Sequence, residues 1–370
     1  MGNDNQIQKA GDNSTQYQAE VINLNNNNGI TEQRAREIYR EMNEIARRDY
    51  TQEAFELACK RVGRLEELLM FKLDKVDGLL ESFADPSFQF LLQTSQKTAA
   101  SSDREADYEM LTELLVHRVE KKDDRKTKAG ITKAVEIVDQ VDDDALCALT
   151  VIYAVERWTA ITGNISQGLK VMDELFSSLC YRTLPKGLDW AYHLDMLNAV
   201  RVSSVNSYKK FDEFYPKSFE GYSCVGIEKE TESHKEAIRI LEEANLPLNL
   251  LIEHELNSGY VRLCVSCKSR IEKITITNLE GQNVLTIRNV TAGQIDALNQ
   301  IWNLYSKESN KIEEVKRNFM QKWDTFENLK KVRLWWETLP HSMIITPIGK
   351  VLAHANAQRH SETVPQMKDA

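Results

Sequence analysis

The chain has 370 residues, 42% of them hydrophobic and 28% charged, with 56 acidic against 47 basic side chains and a formal net charge of −9. Such a length can bury a large core and suggests two or three domains. The acidic balance opposes generic binding to nucleic acid or to anionic membranes, because both need clustered Lys and Arg.

The first 28 residues carry the most distinctive pattern. Asp4–Gly11 and Asp12–Ala19 both open on Asp-Asn and both contain a Gln-apolar-Gln triplet, so Gln6 aligns with Gln16, Ile7 with Tyr17 and Gln8 with Gln18. A looser unit, Val21-Ile22-Asn23-Leu24, and the run Asn25 to Asn28 follow. Residues 1–30 are too polar to bury a core and are expected to be a disordered leader in the monomer. Their amides can nevertheless ladder along a stack of identical strands, each bonding to the copy above and below. The expected assembly motif is Gln6, Ile7, Gln8, Gly11, Asn13, Gln16, Tyr17 and Gln18. Ile7 and Tyr17 supply its apolar contacts, and Glu20 and Lys9 limit uncontrolled growth. The expected partners are further copies of the chain, as a homo-oligomer, or a protein with a similar motif.

An all-helical domain is expected over 31–205. Thr31 can cap a helix running to about Arg48 with Ala35, Ile38, Met42 and Ile45 at helical spacing. Thr51 is expected to cap a longer one striped by Phe55, Ala58, Val62, Leu65, Leu69, Leu73, Val76 and Leu80. Asp85-Pro86 restarts a helix as cap and first residue. Tyr108 to Val119 and Ile131 to Val141 are further helices, and Asp142-Asp143-Asp144 places acids where the next helix dipole favours them. That next helix, Ala145 to Ile161, is apolar on nearly all sides and reads as the centre of the bundle. Its run Ala145 to Val155 is eleven residues, well short of the roughly 20 that span a bilayer. Val171 to Cys180 and Tyr192 to Val200 are also expected to be helical.

From 206 to 360 the pattern predicts a small α/β lobe. Phe211 to Cys224 looks irregular, Glu228 to Ala244 and Pro247 to Leu256 look helical, and strands are expected at Tyr260 to Cys267, Ile271 to Thr277 and Val284 to Arg288. The last two form a hairpin across Asn278–Gln282. Thr291 caps a helix to Tyr305, and Lys311 to Leu339 reads as one long helix. Met343-Ile344-Ile345 followed by Thr346-Pro347 and a helix to Ala357 gives a winged-helix-like end, and 361–370 reads as a disordered tail. The fold class is thus mainly α: a helical bundle, then a small α/β lobe.

No constellation discloses a chemical activity, so no catalytic residue, cofactor or metal is expected. Cys264-Val265-Ser266-Cys267 is one CxxC where a zinc site needs paired knuckles, even with Cys224 and His254 in reserve. If Tyr260 to Cys267 is a strand, its two thiols face opposite ways. Six scattered cysteines, Cys59, Cys147, Cys180, Cys224, Cys264 and Cys267, fit free thiols in a reducing compartment. The N-terminus has neither the apolar core nor the basic leader of a signal peptide, so a cytoplasmic location is expected. Glu253-His254-Glu255 lacks the second histidine of a metalloprotease helix and reads as a helix surface. Trp190, Tyr192, His193 and Asp195, like Trp335-Trp336 near His341, read as packing. Lys330, Lys331 and Arg333 before the terminal strand–helix unit are the best nucleic-acid or partner contacts, against the overall charge.

Two resemblances follow. Ile7-Gln8-Lys9-Ala10-Gly11-Asp12-Asn13 resembles the Ile/Val-Gln-x-Gly-x-x-Asn core of RIP homotypic interaction motifs and related bacterial amyloid signalling sequences. It departs from that core by an extra residue before the glycine and one fewer after it. Asp85-Pro86-Ser87-Phe88-Gln89-Phe90, Leu114-Leu115-Val116-His117-Arg118, the helix start Asp142 to Leu149, and Ile345-Thr346-Pro347-Ile348-Gly349-Lys350 through His354-Ala355-Asn356 resemble an uncharacterised bacterial family with the same Gln-rich leader. Its layout is similar to abortive-infection proteins of the Abi-alpha type. The resemblance implies a cytosolic helical protein of bacterial antiphage defence or signalling, non-enzymatic and assembling through its leader. The alternative is an effector acting on nucleic acid or membrane through the C-terminal lobe.

Overall fold

A computed structural model describes residues 30–46, 51–73, 75–121, 124–280 and 284–367. The expected assembly motif from Gln6 to Gln18 lies outside these residues. The described chain is mainly helical. Helix α1 (Glu32–Ala46) starts on Thr31, whose Oγ1 accepts the Arg34 N–H at 3.2 Å. Helix α2 (Gln52–Lys72) follows without the expected side-chain cap, since Thr51 opens it through its carbonyl, which accepts the Phe55 N–H at 2.7 Å, and the short α3 (Leu79–Ser82) comes next. Helix α4 (Pro86–Ser101) begins where Asp85 accepts the Ser87 N–H at 2.7 Å, with Pro86 in the first turn. After α5 (Glu105–Glu120) and α6 (Arg125–Ile137), Asp142 caps α7 (Asp143–Arg157) by accepting from Asp144 and Ala145. Every side chain from Ala145 to Val155 is buried, as befits the bundle's central helix. Helices α8 (Ile165–Leu179) and α9 (Asp189–Met196) complete this first run.

The helix expected to reach Val200 ends at Met196 because Asn198 takes φ 59°. Asn tolerates that left-handed conformation, which stops a helix. The chain then forms β1 (Val200–Val202). Phe211 to Cys224, expected to be irregular, is instead α10 (Phe211–Ser218) and α11 (Glu220–Ser223). Phe211, Tyr215, Phe219 and Tyr222 recur at helical spacing and bury one aromatic face, with Tyr215 and Phe219 stacked at 5.8 Å.

Next comes the α/β lobe: β2 (Ile227–Glu228), α12 (Glu232–Glu243), β3 (Leu251–Glu253), β4 (Tyr260–Leu263), β5 (Thr275–Glu280), β6 (Val284–Asn289) and α13 (Ala292–Asn303). Its three-stranded antiparallel sheet has the order β2-β4-β3, and β5 and β6 form the expected hairpin. Thr291 and Gln294 make a full capping box for α13. Pro247 to Leu256 is not a helix: a 3-10 turn, Leu248–Leu250, leads into β3, which pairs with β4 from Leu251↔Leu263 to Glu253↔Val261. The expected strands at Tyr260 to Cys267 and Ile271 to Thr277 are interrupted by a second 3-10 stretch, Lys268–Lys273.

The expected long helix from Lys311 to Leu339 is two, α14 (Ser309–Trp323) and α15 (Glu327–Trp336). No Pro or Gly marks the break. Asp173 of α8 makes it, accepting the backbone N–H of Asn328 at 2.9 Å and of Leu329 at 3.2 Å, a cap supplied from another helix. Asp173→Ala is therefore expected to cost about 1 kcal/mol, the usual worth of a helix cap, read as a lowered urea midpoint with an unchanged slope.

The lobe has its own core, Ile227 to Tyr305, whereas Phe211 to Tyr222 and Val315 to Met367 belong to the bundle's core. The lobe is thus an insertion between α11 and α14, narrower than the expected 206–360. The strand–helix end forms as β7 (Met343–Ile345) and α16 (Pro347–His360), but it joins the body. Strand β7 pairs with β1, Val200 opposite Ile345, and α16 lies against α5, α6 and α7. Thr346 caps α16, and Gly349 is needed there because a Cβ would stand 2.1 Å from the Ala199 carbonyl oxygen. The tail is not loose up to residue 367: Val364 and Met367 are buried, and the Met367 N–H donates to Glu120 at 3.0 Å. A chain end with buried side chains and paired backbone stays in place.

Candidate cleft between the helical body and the lobe

The loop from Trp158 to Asn164 leaves α7, touches the lobe and enters α8, where Asn164 accepts the Gln167 N–H at 2.7 Å. Lobe and body are latched along it. Arg262 of β4 donates to the Gly163 carbonyl at 2.6 Å, and from within the body the Tyr222 hydroxyl braces the same loop by donating to the Thr162 carbonyl. Glu255 accepts the Ile165 N–H at 3.0 Å and the Ser166 hydroxyl at 2.6 Å, a carboxylate at the positive end of α8. Gly163 must be glycine: a Cβ would lie 2.2 Å from the Cys264 carbonyl.

Beside this latch lies a cleft in two halves. One, about 540 Å³, is walled by Ile161, Leu250, Cys264 and Thr275; the other, about 530 Å³, by Trp158, Met172, Thr363 and Val364. Ile161, Arg270 and Lys273 line both, which makes them one space. Arg157 adds a third cation, and among the described residues no carboxylate lines either half. Among the described residues none of the three is held in an ion pair. Volumes of this size suit small ligands.

Behind Trp158 the bundle core holds an unusual set of rings. Trp158 meets Tyr153 at 5.3 Å and His354 at 5.7 Å, and His354 meets His117 at 5.3 Å. His354 Nε2 donates to the Pro365 carbonyl at 3.0 Å, so its Nδ1 can accept from the Tyr153 hydroxyl at 3.4 Å. His117 Nε2 donates to the Gln358 side-chain oxygen at 2.5 Å, and its buried Nδ1 has no partner among the described residues. Burial holds both imidazoles neutral, pushing His117 down to about 3 and His354 down to about 4. What the cleft offers is thus a cationic, partly aromatic binding wall, with its nearest imidazoles neutral and packed behind Trp158.

The residues singled out by sequence lie elsewhere. Lys330 and Lys331 are exposed on α15, while Arg333 is held by Asp324 at 2.7 Å and by Glu337. His254 is not on a helix surface; it is buried after β3 and bonds the Cys224 carbonyl oxygen at 2.7 Å, its pKa lowered by burial to about 4. The Cys224 thiol donates to the Gly221 carbonyl and is pushed up to about 12 by burial. Cys264 and Cys267 are free and half-buried, outside β4. Among the described residues no group of three or more His, Cys, Asp or Glu could hold a metal ion. Trp190 and Trp335 donate to the Gly187 and Pro185 carbonyls, and Asp195 accepts the Val202 N–H, so these are braces between elements. Sequence reasoning missed Arg157, Arg270 and Lys273, because no spacing or motif links residue 157 to residue 270.

Among the described residues no helix is long and apolar enough to cross a membrane. No curated protein and no solved structure matches the chain. The chain belongs to the family whose model, described as ":-like", matches residues 29–366.

Proposed function

We infer that this protein is a non-enzymatic, cytosolic bacterial signalling protein of the antiphage-defence kind, which assembles through its leader and presents its folded part in multiple copies. The observation that supports this most is a coincidence of boundaries. The doubled Gln-apolar-Gln pattern ends before residue 29, where the family match begins, and α1 starts three residues later. A laddering segment attached to a separately folded part is how a tag is arranged. Stacking its strands raises the local concentration of the attached bodies without any new contact between them.

The alternative, an effector acting on nucleic acid or membrane through the C-terminal lobe, has less behind it. Helix α16 is buried from Val351 to Ala357 and so offers no free face to a groove, and Arg333 is committed to two carboxylates.

The test compares the full chain with the double variant Ile7→Asp/Tyr17→Asp by light scattering and thioflavin fluorescence at matched concentration. Only the unaltered chain is expected to give large, dye-positive assemblies. Equal particle size and no dye signal for both would sink the reading.

A further inference from the structure

We propose that the cleft between the helical body and the lobe is a nucleotide-binding site, a role beyond assembly and independent of it. Charge is the leading reason. In a chain with 56 acids against 47 bases, Arg157, Arg270 and Lys273 converge from two distant segments on one space. Their sequence neighbours Glu156 and Glu272 are not among the lining residues, and Asp173, next to the lining residue Met172, is spent on capping α15. Three unpaired cations around one cavity repel one another, and a bound polyanion removes that repulsion. Surface cations elsewhere on this protein commonly take a carboxylate partner, as Arg239 does with Glu236 and Glu243.

Shape narrows the ligand. Each half has the volume of a small-molecule pocket, too small for a duplex. Arg270 and Lys273 sit where the halves meet, which places phosphates at the junction. Arg157 and half-buried Trp158 are on one side of it, with apolar Met172 and Val364 beside them. An indole next to a cationic cluster is the pairing that takes a base and its phosphates, since every base has a face to stack. A bare anion would use the cations and ignore the indole.

The experiment is calorimetric titration of the full chain, with chelator present, using the four ribonucleoside triphosphates, their monophosphates and inorganic phosphate. At least one nucleotide is expected to bind. Arg270→Ala/Lys273→Ala is expected to weaken it by about tenfold or more, the scale of losing one charge-assisted contact. Both side chains are solvent-accessible, so this variant is expected to keep the wild-type circular dichroism spectrum. Trp158→Leu is expected to weaken nucleotide but not phosphate, and Trp158→Phe, which keeps a ring against His354, to fall between. The proposal is overturned if no nucleotide of the panel binds at millimolar concentration. It is equally overturned if the double variant binds as wild type, or if phosphate binds as well as nucleotide and Trp158 is irrelevant.

Discussion

Between pH 7 and pH 5 this protein is expected to lose on the order of 4 kcal/mol of folding free energy, about 2 from each of two buried histidines. His117 and His354 are fully buried, and their folded pKa values lie near 3 and near 4, against an ordinary 6.5. For His117 burial is the main cause, followed by the proximity of His354; for His354 burial leads, opposed by its bond to Pro365. As pH falls below 6.5 the unfolded chain takes up protons on both imidazoles and the folded chain does not. The stabilisation is therefore complete above 6.5 and is lost progressively as pH falls through the range toward 4. The charged groups that act most on the pair, Lys72, Lys121 and Arg157, are all cations and push the imidazoles the same way as burial does. Urea unfolding at pH 7 and pH 5 measures the effect. His354→Gln, which can still donate to the Pro365 carbonyl, is expected to remove about half of the difference; an unchanged midpoint between the two pH values would refute the assignment.

Replacing Arg262 is expected to be the most damaging single change in the lobe. The side chain is 0% exposed, yet no carboxylate bonds it. Its charge is balanced by the carbonyls of Gly163, Leu263 and Val265 and by the ring of Tyr222, 5.4 Å away. Arg262→Ala leaves three buried carbonyls without this donor and opens a cavity at the latch, together costing about 3–5 kcal/mol. Arg262→Met refills most of the volume and is expected to recover the cavity part only. Because the Gly163 bond joins lobe to body, Arg262→Ala is also expected to speed hydrogen exchange in the segment 158–164. A variant with wild-type unfolding and exchange would show that the carbonyl cage contributes nothing.

Local chemistry was legible. Asp85-Pro86, Asp142, Thr291 and Thr346 each mark a helix start because a cap is a bond to the second or third residue onward, and the structure shows each of those bonds. The central helix was legible from its apolar circumference, and the hairpin of β5 and β6 from its alternation. Where a distant partner intervened, the pattern misled. The stripe from Lys311 to Leu339 is continuous, but Asp173 pays for a break within it. Leu251 to Glu253 looked helical until β4 supplied a pairing edge. The tail is polar, yet Pro365 is held by His354 and Met367 by Glu120.

What the sequence by itself determined is the mainly helical class and most of the capped starts, since each rests on periodicity or on bonds spanning a few residues; the doubled Gln-apolar-Gln pattern before residue 29 is a property of sequence alone. Tertiary structure alone decided that the lobe is an insertion, that β7 and α16 close back onto the first helices, and that Arg157, Arg270 and Lys273 share a cleft. Those features depend on contacts between residues far apart in the chain, which no local spacing records.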